Sequence, residues 1–150
     1  MTLYIIYFRT MENSPEVRII AATTDKSLAY EKFRQAKKME AEWMADVDED
    51  SGDWAEACIR VWDVPGVRSG DHIHILVRTE WYEEVSTDVY PFFSVVGAKD
   101  LVSLMKDDSK ERYPGITPFN EEETFEETMH LEDPELAVDI YFSIEEVVVE

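Results

Sequence analysis

The chain has 150 residues, 34 acids against 14 Lys and Arg, and a formal charge of −20. A surface this negative repels phosphate backbones and anionic lipid, so direct nucleic-acid binding and a membrane-surface role are excluded as expectations. Hydrophobic residues make up 45 % of the chain, enough to build a core within a single domain spanning 1–150, and the lone Cys58 excludes an internal disulfide framework.

Residues 3–8 (Leu-Tyr-Ile-Ile-Tyr-Phe) are apolar on both faces, as a central strand requires. Ser14-Pro15 marks a turn, and 17–22 alternates into a second strand. Thr24 or Asp25 caps a helix from 26 to about 44, whose inner face reads Ala29, Phe33, Ala36, Glu40 and Trp43. An acidic loop at 46–53 leads to a third strand at 58–64, with Ile59 and Val61 on one face and Arg60 and Trp62 on the other. Pro65-Gly66 and Ser69-Gly70 then mark a linker.

A similar programme follows. Strands are predicted at 72–79 and 85–90, a short helix after Gly97 carrying Leu101, Leu104 and Met105, and a long last strand at 137–149. Ile6-Tyr-Phe-Arg9-Thr10 can be laid on Ile75-Leu-Val-Arg78-Thr79 at an offset of 69. The expected fold class is α+β, a mixed or antiparallel sheet packed with helices. Its halves, 1–66 and 70–150, read either as diverged ββαβ repeats or as two ordinary hairpin–helix units, with an insertion at 113–135.

The charge is segregated. Residues 39–59 hold eight acids and no base, and 113–150 hold twelve acids and no base; elsewhere acids and bases balance at 14 each. Within the insertion, Glu121, Glu122, Glu123, Phe125, Glu126, Glu127, Met129 and His130 fit a short amphipathic helix. Phe125 and Met129 then face one way, and acids four apart stand ~5–6 Å from each other, a spacing comparable to successive phosphates. The alternative is a solvated helix face.

Asp46, Asp48 and Asp50 occupy the first, third and fifth positions of a calcium loop, but Gly52 comes one place late and Glu56 one place early. His72 and His74 share one strand face and, with His130, would offer three imidazoles to zinc. Cys58 sits in an apolar strand without a base at recognisable spacing. No phosphate loop or nucleophile elbow is present. Trp54, inside the acidic loop with Glu49 and Asp53, suits an anchor on which a partner arginine stacks.

In size, charge and lack of a catalytic motif the chain resembles the small acidic nucleic-acid mimics of phages and mobile elements, the anti-CRISPR and anti-restriction inhibitors. The resemblance is one of class and transfers no residue. It implies a non-enzymatic protein, needing no cofactor, that acts in the cytoplasm of a bacterial host. There it would lay carboxylates in the basic groove of a nucleic-acid-handling protein. The partner-binding residues expected are Asp46, Asp48, Glu49, Asp50, Asp53, Trp54, Glu121, Glu122, Glu123, Phe125, Glu126 and Glu127. The same charge suits an immunity protein neutralising a toxin nuclease, and a Ca²⁺ or Zn²⁺ module or a plain structural protein remain alternatives.

Overall fold

The computed structural model describes residues 1–118, 127–132 and 137–150, which form eight strands and two helices. The chain divides into two compact units, Met1–His72 with Val147–Glu150, and Ile73–Glu146. The class is α+β, with helices packed on antiparallel sheets of three and five strands.

In the first unit β1 (Thr2–Glu12) lies between β2 (Ser14–Thr23) and β3 (Trp54–Asp63), antiparallel to both. The apolar run at 3–8 dictates this central place, and Leu3, Ile5 and Ile6 are fully buried. The chain reverses at Asn13, whose φ of 69° a short polar side chain tolerates. A bulge in β2, where Ile6 faces Ala21 and Tyr7 faces Ile19, lets both Ile20 and Ala21 reach the core.

Helix α1 (Lys26–Ala45) starts at Asp25, whose Oδ1 accepts the Leu28 N–H at 3.1 Å. Ala29 and Ala36 carry no bulk, so the helix approaches Ile6, Phe8, Ala55 and Ala57 closely, while Phe33 and Trp43 fill the flanks. Glu40 shares this inner face and is not wasted there. Its carboxylate accepts the Ala57 N–H at 3.0 Å and lies 3.3 Å from Lys37 Nζ. Met44 Sδ accepts the Ala55 N–H at 3.3 Å. Strand β3 is an edge, and these two contacts satisfy N–H groups that would otherwise invite another strand.

Strand β3 begins four residues before its predicted start, because Trp54 and Glu56 pair with Met11 and Arg9 and extend the ladder. The linker is also tied down. The Val149 N–H donates to the Asp71 carbonyl at 2.8 Å and the Gly70 N–H to the Val149 carbonyl at 2.7 Å, while the Glu150 N–H donates to the Ala22 carbonyl at 2.8 Å.

The second unit runs β4 (His72–Tyr82), β5 (Glu84–Phe92), α2 (Val95–Arg112), β6 (Thr117–Pro118), β7 (Glu127–Glu132) and β8 (Ala137–Val148), in the sheet order β5-β4-β8-β7-β6. The order β5-β4-β8 reproduces β2-β1-β3, and β7 and β6 are strands added beyond it. Helix α2 is longer than predicted, with Ser94 as its cap and Gly97 inside its first turn. A Cβ at Gly97 would come 3.2 Å from the Phe92 ring, close enough that the ring would have to give by a few tenths of an ångström.

The hairpin tips, Asn13 and Glu83 (φ 58°), stand 70 residues apart, not 69. One residue of slip exchanges the faces of a strand. Phe8, which packs under α1 with Ile6, therefore corresponds to Arg78, while Arg9 corresponds to Thr79. The Arg-Thr match at an offset of 69 is out of register.

The amphipathic helix predicted across the insertion fails at its end. Residues 127–132 are strand β7, paired antiparallel with β8, because Thr128 and Met129 are buried in the sheet and cross-strand pairing outweighs the helical spacing. Among the described residues no helix is long and apolar enough to cross a membrane.

Candidate partner-binding surface

Helix α1 ends at Ala45, and the chain winds directly into the acidic loop. The Asp46 N–H donates to the Trp43 carbonyl and the Val47 N–H to the Met44 carbonyl, both at 3.3 Å. Asp48 then organises the turn: its Oδ1 accepts the Asp50 N–H at 3.1 Å, and its carbonyl accepts the Ser51 hydroxyl at 2.7 Å. The Ser51 Oγ in turn accepts the Asp53 N–H at 3.2 Å, and Gly52 supplies the left-handed residue (φ 77°) that closes the loop. The acids are thus held by a defined backbone.

Beside this loop opens a cavity of about 420 Å³. Asp46, Asp48 and Asp53 line it with Ser51, Trp43 and Val47 give it apolar wall, and Glu12 joins from the end of β1. Nothing in the sequence pattern announces Glu12, whose place follows from the pairing of Met11 with Trp54. Glu49 and Asp50 are exposed on the same loop. A helix C-terminus carries about half a negative charge, so acids beside it repel it and bases are favoured. The last turn of α1 holds no base; the last turn of α2 holds Lys110 and Arg112.

Trp54 is not a free anchor in the loop. It is the first residue of β3, and the Arg9 guanidinium lies 4.9 Å from its ring centroid, filling the stacking position expected of a partner. Arg9 also meets Glu56 at 3.4 Å. The Glu56 carboxyl is held below its ordinary range by the Cys58 thiol, which donates to it at 3.1 Å, with Arg9 adding to the effect. Burial, then the Glu56 carboxylate, pushes the Cys58 thiol up to about 11, so it is protonated at neutral pH and a poor nucleophile.

Glu121, Glu122, Glu123, Phe125 and Glu126 lie outside the described residues. Glu127 is described: it is in strand β7, not in a helix, with Lys106 Nζ 2.8 Å from its Oε2. His130 is bonded through Nδ1 to Asp139 on β8, and its Nε2 lies 3.6 Å from Glu132. The hydrogen bond to Asp139 raises its pKa despite partial burial. Among the described residues no three His, Cys, Asp or Glu side chains are grouped to hold a metal ion, and the Asp46 loop and the His72–His74 pair are included in that statement.

Comparison with family models, with curated proteins and with solved structures finds no match.

Proposed function

We propose that this protein is a non-enzymatic acidic inhibitor of a nucleic-acid-handling protein, of the kind that disables a CRISPR effector or a nuclease in a bacterial cytoplasm. The observation that carries the reading is the gathering of Asp46, Asp48, Asp53 and Glu12 around one cavity at the negative end of α1. Carboxylates crowded there repel one another and the helix end, and a basic partner relieves both. Trp43 in the same wall offers an arginine or lysine stem an apolar contact.

In this mechanism the loop occupies part of the groove where phosphates would lie and excludes nucleic acid by competition. Encounter is steered by charge and slows as salt rises. Proteins retained from a bacterial lysate by the immobilised chain at about 50 mM salt are to be assayed for binding of labelled duplex or single strand, with free chain as competitor. The expected result is displacement by the wild type and weak displacement by the triple variant Asp46→Lys, Asp48→Lys, Asp53→Lys. Equal displacement by the two, or the absence of any retained nucleic-acid-binding protein, overturns the reading.

A further inference from the structure

The second unit, taken alone, holds nineteen acids and only five bases, Arg78, Lys99, Lys106, Lys110 and Arg112. Two of the five line one cavity of about 320 Å³, at the lower end of the size range of small-molecule pockets. Its rim is a single face of α2, since Lys99, Ser103 and Lys106 follow one another at spacings of four and three. Val102, Phe142 and Ile144 supply its apolar surface. Val102 and Phe142 also belong to the core, which fixes that wall.

The two lysines are not equivalent. Lys106 is matched by Glu127 at 2.8 Å, which leaves that side of the rim neutral. Lys99 has no carboxylate partner among the described residues. Among the described residues, a unit with so large an excess of acid thus keeps one unmatched ammonium at the mouth of a cavity that is polar at its rim and apolar along one wall. Such a site favours a ligand with one anionic head for Lys99 and a short alkyl body for the Val102–Phe142–Ile144 surface. The carboxylate in the lining, Glu127, is already held by Lys106, so a cation gains little there, and a wholly polar anion leaves the apolar wall uncovered.

We infer that this cavity is a binding site for small anionic amphiphiles, with a carboxylate head at Lys99 and an alkyl chain along Val102, Phe142 and Ile144. The site shares no residue with the acidic surface proposed to meet a protein partner, and the inference does not depend on that reading.

The test is an amide chemical-shift titration of the whole chain with butyrate, hexanoate, octanoate and the neutral 1-octanol. Saturable shifts are expected at residues 99–106 and 142–144, with Kd falling up to about 4-fold per added methylene, the factor that corresponds to burying a CH₂. Lys99→Gln should weaken octanoate about 5-fold or more and leave octanol unchanged. Ser103→Phe, at an exposed helix position, should block the mouth and abolish the shifts. Overturning results are the absence of saturation, octanol binding as tightly as octanoate, or octanoate binding that ignores Lys99→Gln or Ser103→Phe.

Discussion

Replacing Asp46 by lysine should make the free protein more stable and a weaker binder. Asp46 caps the C-terminal end of α1 through its backbone N–H, so the substitution leaves the cap hydrogen bonds intact and changes only the side chain. Removing an acid from a helix C-terminus and adding a base there are each worth about 0.3–1 kcal/mol at low ionic strength, together about 0.6–2 kcal/mol. For a chain of 150 residues each kcal/mol raises Tm by roughly 2–4 °C. A gain of roughly 1–8 °C follows at low salt, measured by calorimetry or fluorescence against the wild type. Near 0.5 M salt the Debye length falls to about 4 Å and most of the gain should vanish. Displacement of nucleic acid from the partner should weaken in parallel. An unchanged or lowered Tm at low salt would refute the electrostatic strain argued for this loop. A gain that persists undiminished at high salt would show that packing, not charge, was responsible.

Three other outcomes follow from the same geometry. Glu40→Leu, which leaves the Ala57 N–H without its acceptor, should cost about 1–3 kcal/mol in denaturant unfolding, whereas Glu40→Gln keeps an acceptor and should lose clearly less. His130 has a raised pKa in the folded state, so its stabilising contribution is fully present below the unfolded value of about 6.5 and is lost as pH rises through the folded value. The stability difference between wild type and His130→Gln should therefore be largest near pH 5.5 and shrink on the alkaline side; a difference independent of pH would show that the pair with Asp139 does not titrate as described. Cys58, pushed up to about 11 from an ordinary value near 9, carries about 100-fold less thiolate at pH 8 than an unperturbed thiol. Its alkylation should be slower by a similar factor, and labelling at the rate of a free thiol would contradict that environment.

The elements with a strong local signal were legible in the sequence. The central strand follows from its two-sided apolar run, and α1 follows from the spacing of Ala29, Phe33, Ala36 and Trp43 with Asp25 at its start. Long-range pairing was not legible. Glu127, Met129 and His130 fit a helix by spacing alone, and only their partners on β8 (Phe142, Ile140 and Asp139) make them strand. Trp54 looked like loop because acids surround it in sequence, while its pairing with Met11 is forty-three positions away. At the candidate surface the loop acids could be named in advance, but Glu12 could not. It arrives through the β1–β3 ladder, which no local pattern encodes.

Raw charge overstates what such a chain can offer a partner, and the structure sorts the acids. Within the first base-free stretch Glu40 is engaged with Lys37 and the Ala57 N–H, and Glu56 with Arg9 and Cys58. In the second, Glu127 meets Lys106, and Asp139 and Glu132 meet His130. These carboxylates hold the chain's own strands and helices in place. Of the acids at 46–53, Asp48 accepts the Asp50 N–H of its own loop, and among the described residues none of the five meets a base, yet they stand by the helix end where acid is least welcome. Selection for solubility alone has no reason to choose that site, since the same charges could stand at a helix N-terminus at a gain in stability. Helix α2 shows the favourable arrangement, with Lys110 and Arg112 in its last turn. The contrast between the two helix ends of one chain is therefore the stronger argument for a basic partner, because it persists after the net charge of −20 has been discounted.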